Sequence, residues 1–380
     1  MTAGADVDAA IQVSAVRLSA LNAGALEAWD RLADRAAEPN PFFRREFVQA
    51  ASAAHGDDPL VLVAARGDDW LLCLPVAAAP RWRRLAVPCL APWMSDVTYL
   101  STPLIDVDRL EDASRALAEF VAGQRAWAAL VLDPVDPDGM AGRALAAAFA
   151  RVGRPIRYVE WERGALRRRP EATYVEEAMS AKRRKELRRL RRALGRELGG
   201  DVAVVDRTHE PSAYDEFLRL EGAGWKGAAG TALASSPERA AFFRAMCRAA
   251  AAAGRLQILS LEGGGRTVAM QCNLVDRWML FGFKVAYDHE LARFSPGSLL
   301  EVDAIGVFHE SESLLRADSC AAPDSELVNR IWPDRRRLQT LIVPTGSSRA
   351  ALIRPTLAAE GAGRRLVRAV RTRRTRAQKP

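Results

Sequence analysis

The stretch that decides the fold runs from residue 278 to residue 308. It reads Trp278-Met279-Leu280-Phe281-Gly282-Phe283-Lys284-Val285, then Ser295-Pro296-Gly297, then a largely apolar run from Ser298 to Phe308. The composition of the first part is typical of a β-strand, and the last part is typical of a helix. The amides of a first helical turn have no partners inside the helix, so a strand that leads into a helix N-terminus creates an anion pocket.

The residues of this turn suit a phosphate-bearing ligand. Ser295 is a candidate N-cap, Pro296 fits the first helical position, and Gly297 has no Cβ to keep a phosphate or a pantetheine-like chain from the backbone. We therefore expect Ser295, Pro296, Gly297 and Ser298 to bind a donor of the acyl-CoA type.

Several polar residues precede this turn in a fixed order. The order Glu221, Trp225-Lys226-Gly227, Lys284-x-x-Tyr287-Asp288 and Ser295-Pro296-Gly297 resembles the GNAT-type acyltransferases of the CelD group, which are associated with cellulose and exopolysaccharide biosynthesis. The FemABX peptidyltransferases are more distant relatives. The resemblance covers residues 170 to 335 well, and it reaches the N-terminal half more loosely through Asn40-Pro41-Phe42-Phe43.

The resemblance implies an α/β (α+β) protein with a tandem GNAT-like acyl-CoA N-acyltransferase fold of two mixed-sheet domains. Asp318 and Trp332 match the relatives and are expected to help bind the substrate. Two departures stand beside these matches. The Gln/Arg-x-x-Gly-x-Gly/Ala loop of ordinary GNAT enzymes is replaced by Arg293-Phe294-Ser295-Pro296-Gly297, and the stretch between Asp318 and Trp332 lacks the glycine-rich turn of the relatives.

Acyl transfer needs a base for the acceptor and a proton for the leaving thiolate. Glu221 and Asp288 are the candidate bases, and Tyr287 is the candidate proton donor. Lys284 and the pair Trp225 and Lys226 are the candidate substrate-binding residues. Each has a simpler alternative: a helix-terminal acid for Glu221, a turn acid for Asp288, strand-end packing for Tyr287, an edge-strand charge for Lys284 and core packing for Trp225.

The composition excludes several other classes of protein. The hydrophobic fraction of 49% and the charged fraction of 27% are typical of a globular protein, and no apolar run approaches the length of a membrane span. The five cysteines lack C-x-x-C spacing and the four histidines lack H-x-x-H spacing, which disfavours a zinc site or a disulfide framework. We therefore expect a cytoplasmic protein that uses no metal.

The net charge of +8 is concentrated in two segments. One is the C-terminal tail from Arg349 to Pro380, which could contact a membrane surface or a protein. The other runs from Lys182 to Arg196 and could bind nucleic acid, anionic lipid or a phosphorylated substrate. Leu187, Leu190 and Leu194 have helical spacing within it, so we interpret its arginines as the solvated side of a helix.

The order of the predicted elements indicates three regions along the chain. Residues 1–165 are predicted to form an N-terminal GNAT-like domain, and residues 170–346 a C-terminal GNAT-like acyltransferase domain. Residues 347–380 are predicted to be a disordered basic tail. The predicted elements include a single long helix from Val175 to Leu198 and a strand from Val97 to Leu100.

Three functions remain open from the sequence alone. The leading one is the transfer of an acyl group from a CoA thioester to an amino or hydroxyl group of a small molecule, with acetyl as the first candidate for the acyl group. The resemblance alone points to a saccharide or cell-envelope precursor as that acceptor. The alternatives are a FemABX-like ligase that takes its aminoacyl group from tRNA, the one case in which nucleic acid is expected, and a non-catalytic accessory protein of polysaccharide synthesis.

Overall fold

A computed structural model describes residues 10–83, 85–93 and 96–359, except for the side chains of Trp225 and Lys226. The chain is a mixed α/β protein, as predicted. Its strands are β1 (Gln12–Arg17), β2 (Leu60–Arg66), β3 (Asp69–Ala79), β4 (Cys89–Pro92), β5 (Leu104–Ile105), β6 (Ala129–Val135), β7 (Ile156–Arg167), β8 (Ala203–Asp206), β9 (Leu256–Gly263), β10 (Arg266–Asp276), β11 (Met279–Tyr287), β12 (Arg316–Asp318) and β13 (Asp334–Pro344).

The helices are named in the same way. They are α1 (Ala23–Arg35), α2 (Arg45–His55), α3 (Leu110–Gly123), α4 (Met140–Val152), α5 (Tyr174–Ala178), α6 (Ala181–Leu198), α7 (Ser212–Gly222), α8 (Trp225–Ala228), α9 (Pro237–Ala252), α10 (Pro296–Glu310) and α11 (Glu326–Ile331). No helix among the described residues is long and apolar enough to cross a membrane.

The chain divides into two compact units that are discontinuous in sequence. The first consists of Met1–Glu38, Pro59–Glu160 and Gln339–Pro380, and the second of Pro39–Asp58 and Trp161–Leu338. The predicted domain limits at 165 and 170 stay a prediction.

The first unit contains a mixed sheet with the strand order β1-β2-β3-β4-β6-β13, and β5 pairs with β3. Strands β4 and β6 are parallel, and the other neighbours are antiparallel. Helices α3 and α4 pack against each other in this unit. The hairpin predicted at Gly67-Asp68-Asp69 joins β2 to β3, with Gly67 at a positive φ of 59°.

The second unit has the strand order β7-β12-β11-β10-β9-β8. The predicted three-strand meander β9-β10-β11 is antiparallel, whereas β12 runs parallel to β11 because α10 carries the chain back across the sheet. One core cluster of this unit contains residues of α6, α10 and the strands between them, among them Leu194, Leu259, Leu280, Leu300 and Phe308.

The segment from Pro39 to Asp58 is built into the second unit through a buried ion pair. The Arg44 guanidinium donates to an Asp276 carboxylate oxygen at 2.7 Å, and the side chains are 3% and 0% exposed. The backbone N–H of Asn40 donates to the other Asp276 oxygen at 2.9 Å. Phe42 packs edge-on against Phe281, with ring centroids 5.9 Å apart. Helix α2 therefore belongs to the core around β11 in the second unit.

Two predicted elements are wrong in detail. The helix predicted from Val175 to Leu198 is two helices, α5 and α6, because the backbone of Met179 is extended and Ser180 caps the second helix. Residues 97–100, predicted as a strand, form a turn followed by irregular chain.

In the basic tail, Ser348–Leu352 and residues 353–359 are helical, and the prediction for residues 360–380 lies outside the described residues.

Candidate functional site

A β-bulge in β11 decides which residues reach helix α10. Asn273 pairs with Gly282 and Cys272 pairs with Lys284, so Phe283 is the extra residue on β11. Residues opposite each other in an antiparallel pair point to the same face, and a bulge reverses the alternation that follows it. Leu280 lies on the α10 face before the bulge, and Val285 and Tyr287 lie on that face after it. Without the bulge, Tyr287 would point away from α10.

The parallel ladder between β11 and β12 is short. It pairs Met279, Leu280 and Phe281 with Arg316, Ala317 and Asp318, and it ends there. A Cβ added to Gly282 would lie 2.8 Å from the Ser319 carbonyl oxygen, so the backbone after β12 is in close contact with β11 at the end of the ladder. The end of the ladder opens the sheet beside the second half of β11.

Helix α10 begins where the sequence predicts, but the predicted side-chain cap is absent. Pro296 occupies the first turn of α10, as expected. The side chain of Ser295 makes no capping hydrogen bond, and its backbone is left-handed at φ 53° and ψ 51°. The prediction of a Ser295 side-chain cap is therefore wrong, because Ser295 does not have the extended backbone that is typical of a capping residue. The Ser295 carbonyl begins the hydrogen bonding of the helix, as the carbonyl before a helix ordinarily does. It accepts from the N–H groups of Ser298 (2.9 Å) and Leu299 (3.1 Å).

Those two hydrogen bonds use the N–H groups of Ser298 and Leu299. Within the described residues, the N–H of Gly297 is the amide of this turn that makes no hydrogen bond inside the turn. A Cβ added to Gly297 would lie 3.6 Å from Cδ1 of Tyr287. The structure therefore brings Tyr287 and Gly297 together, at the carboxyl end of β11 and the N-terminus of α10. The half-buried phenol stands beside a helix end that attracts negative charge.

Asp288 begins the 3₁₀ turn His289–Phe294 between β11 and α10. Its carboxylate accepts from the backbone N–H of Glu290 at 3.0 Å and forms an ion pair with Arg266. Its own N–H donates to the Val268 carbonyl at 2.8 Å. These contacts fix the turn that carries Tyr287 toward α10.

Glu221 and Lys284 lie on the other face of β11. Lys284 pairs with Cys272, whose sulfur is 4.0 Å from that of Cys247 on α9. Glu221 is 3% exposed near the end of α7, and its carboxylate accepts from the backbone N–H of Leu233 at 2.8 Å. Trp225 and Lys226 follow on the short helix α8, and the predictions for their side chains fall outside the described part of the chain.

Asp318 and Trp332 are both inside the second unit, at 0% and 4% exposure. An Asp318 carboxylate oxygen lies 2.5 Å from Nε of Arg163, and the other accepts from Arg163 and Arg336 at 2.7 Å each. Burial raises the pKa of Asp318, but the two guanidinium charges and the hydrogen bonds outweigh it and hold the pKa below its usual range. One carboxylate is therefore shared by two arginines within the core.

Glu301, a buried acid on α10, was not among the residues predicted from the sequence. The Trp332 indole N–H donates to Oε1 of Glu301 at 2.5 Å, and the Gln271 amide donates to Oε2 at 3.4 Å. Burial raises the pKa of Glu301 to about 7, although the Trp332 hydrogen bond acts in the opposite direction. A cavity of about 10 Å³ beside Glu301 has room for about one water molecule.

The signal for Glu301 was present in the sequence. It follows Leu299-Leu300 and precedes Ile305 and Phe308, so it is an acid on the apolar side of a helix. Its hydrogen-bond partner Trp332 could not be found in this way, because it lies 31 residues further along the chain. No group of three or more metal-binding side chains occurs among the residues that the structure describes.

Comparisons with known proteins bear on the fold of the second unit. Residues 181–322, from α6 to just beyond β12, match the family described as "Acetyltransferase (GNAT) domain". None of the curated proteins matches the chain.

Two solved structures have a similar fold. A crystal structure of FemX, at 8% sequence identity, covers 84% of this chain and 96% of its own, with a TM-score of 0.57. The C-terminal domain of an Agrobacterium fabrum protein described as a lysylphosphatidylglycerol synthetase is 14% identical. It covers 89% of this chain and 97% of its own, with a TM-score of 0.53. Residues 181–322 thus resemble a GNAT acetyltransferase domain, while membership of the CelD group stays a prediction.

Proposed function

We propose that this protein transfers an acyl group from a CoA thioester to an amino or hydroxyl group of a small molecule. Acetyl is the first candidate for that acyl group. The observation that carries the proposal is the contact of Tyr287 with the Gly297 turn, where β11 ends and α10 begins. The match of residues 181–322 to the GNAT family supports the same reaction class. The proposed acceptor is a saccharide or a cell-envelope precursor, as the resemblance to the CelD group implies.

The donor is proposed to bind at the N-terminus of α10. The Gly297 N–H and the positive end of the helix would hold a phosphate oxygen of the donor, and Ser295, Pro296 and Ser298 give the turn its shape. The thioester would then lie where the β11–β12 ladder ends. Because the sheet is open there, groups on both faces of β11 can reach the reacting atoms.

The proposed chemistry divides proton transfer between the two faces of β11. The acceptor nitrogen or oxygen attacks the thioester carbonyl carbon and gives its proton to the Glu221 carboxylate. The new C–N or C–O bond forms, the C–S bond breaks, and the departing sulfur takes the phenolic proton of Tyr287. Asp288 is less suited to be the base, because Arg266 already occupies its carboxylate. Lys284, Trp225 and Lys226 would contact the acceptor, and the buried Asp318 and Trp332 would support the site from within.

Replacing Gly297 by Ala is expected to weaken acetyl-CoA binding about tenfold, a loss of about 1.4 kcal/mol. The new methyl group fits against Tyr287 at an ordinary contact distance, so the fold should remain, but the methyl group should keep a phosphate from the amide. Calorimetric titration of both proteins with acetyl-CoA measures the difference.

Gly306→Ala is the matched control, since it makes the same change on the same helix with nothing within 4 Å of the new Cβ. It should leave donor binding unchanged. Equal acetyl-CoA affinity in the Gly297→Ala variant would contradict the donor site. Absence of binding to the unmodified protein would favour a tRNA-dependent or a non-catalytic function instead.

Glu221→Gln is expected to slow acyl transfer at least tenfold while acetyl-CoA binding is retained, because the amide cannot accept the proton of the acceptor. The measurement is the release of the CoA thiol from acetyl-CoA in the presence of amine and hydroxyl acceptors. Asp288→Asn is the comparison variant. A loss greater at Asp288 than at Glu221 would reverse the assignment of the base.

A further inference from the structure

Helix α6 has two sides of opposite character. Leu187, Leu190 and Leu194 are buried on one side, at 5%, 8% and 0% exposure, and they belong to the core of the second unit. The period of 3.6 residues places five exposed cations together on the opposite side. These cations are Lys182, Lys185, Arg188, Arg192 and Arg196, here called the α6 stripe.

The side chains of the α6 stripe make no hydrogen bond or ion pair with any residue that the structure describes. The acids of α6 lie outside the stripe and are already paired, Glu186 with Arg189 and Glu197 with Arg293. The stripe is therefore a line of uncompensated positive charge. It extends over about 21 Å along the helix axis.

A pocket borders the α6 stripe at Arg188. Its cavity volume is about 320 Å³, and its floor is apolar, with Leu187, Val175, Leu299 and Val302. Arg184, Arg188 and Arg191 line it as well. Within the described chain Arg191 pairs with Asp303 and Arg184 with Glu176, which leaves Arg188 as the uncompensated cation of this rim. The pocket is large enough for a phospholipid headgroup.

The form of the stripe favours a flat anionic surface over RNA. Single-stranded RNA is usually bound through aromatic side chains on which the bases stack, and residues 181–198 contain no aromatic residue. A cluster of four to eight Lys and Arg residues on an amphipathic helix is typical of binding to anionic lipid headgroups. The exposed large hydrophobic residues of the described chain lie elsewhere, so attraction to the surface would be electrostatic and sensitive to salt.

We infer that the α6 stripe docks this protein on an anionic phospholipid membrane, with one headgroup phosphate beside Arg188 in the adjoining pocket. This inference goes beyond the proposed acyl transfer and does not depend on it, since none of its residues belongs to the proposed reaction.

The test is sedimentation of the full-length protein with vesicles of phosphatidylcholine alone and with vesicles that also contain phosphatidylglycerol. Binding is expected with phosphatidylglycerol only, and it should decrease as salt is raised. The triple variant Lys185→Gln, Arg188→Gln, Arg192→Gln should bind about 100-fold more weakly, since each cation near such a surface contributes about a factor of five. Among the single variants, Arg188→Gln should have the largest effect, because Arg188 also lines the pocket.

A second triple variant with the same change of charge is the control. Arg109→Gln, Arg151→Gln and Arg157→Gln remove three exposed cations outside α6, and vesicle binding should remain within about twofold. Equal losses in both triple variants, or no binding by the unmodified protein, would overturn the inference. Binding of a duplex RNA that needs the stripe, without vesicle binding, would overturn it in favour of nucleic acid. Equal losses of vesicle binding in the single variants at Lys185, Arg188 and Arg192 would overturn the headgroup site beside Arg188.

Discussion

Asp318→Asn is expected to lower the free energy of unfolding by about 3–5 kcal/mol, because it removes the buried negative charge that two guanidinium groups contact. Arg163 and Arg336 both bind this carboxylate, and their side chains are only 4% and 10% exposed. An asparagine keeps the size of the side chain but removes its charge. Chemical denaturation of the two proteins at neutral pH measures the difference.

The matched control is Asp215→Asn, which removes a carboxylate 2.6 Å from Arg244. The Asp215 side chain is 66% exposed, so its ion pair should contribute less than about 1 kcal/mol. Similar losses in the two variants would contradict the role assigned to Asp318. The pKa of Asp318 is depressed in the folded protein, so its contribution is present above the ordinary pKa of an aspartate and is lost as the pH falls.

The second large effect concerns the pH dependence of stability at Glu301. Its pKa is raised from an ordinary value of 4.5 to about 7, so between these values the folded state holds a proton that the unfolded state has released. The free energy of unfolding of the unmodified protein should therefore fall as the pH rises through this range, by about 3 kcal/mol from this residue. Glu301→Gln cannot ionise, and it should remove this part of the slope.

Denaturation at about pH 4 and about pH 8 tests this prediction, because the stability difference between Glu301→Gln and the unmodified protein should change by about 3 kcal/mol between them. The variant should gain relative stability at the higher pH. Glu310→Gln, an exposed glutamate at the end of the same helix, is the control and should leave the pH dependence unchanged. If the free energy of unfolding of Glu301→Gln depended on pH as it does in the unmodified protein, the buried carboxyl group would not be the source of that pH dependence.

The local patterns of the sequence were sufficient for the mixed α/β fold, the meander β9-β10-β11 and the helix start at Pro296. Each of these depends on residues close together in the chain. The β-bulge at Phe283 was not predicted, because it depends on which β10 residue each β11 residue faces, and side-chain alternation alone does not reveal that register.

The site itself was predicted only in part. The proximity of Tyr287 to the Gly297 turn follows from the strand-to-helix order. The positive φ of Ser295 does not, since serine rarely adopts it and only the surrounding turn imposes it. One of the two arginine partners of Asp318 is Arg163, which is 155 residues away in the sequence, and no local pattern points to such a contact.

The ion pair of Arg44 with Asp276 has a consequence for how this protein can be divided. A fragment that begins at residue 161 would contain the whole stretch matched to the GNAT family, yet it would lack Arg44 and the aromatic rings of Phe42 and Phe47. The Asp276 carboxylate would then be buried without a cation, and Phe281 would lose its edge-on neighbour. An expression fragment of the second unit must therefore be supplied with residues 39–58, either on the same chain or as an added peptide.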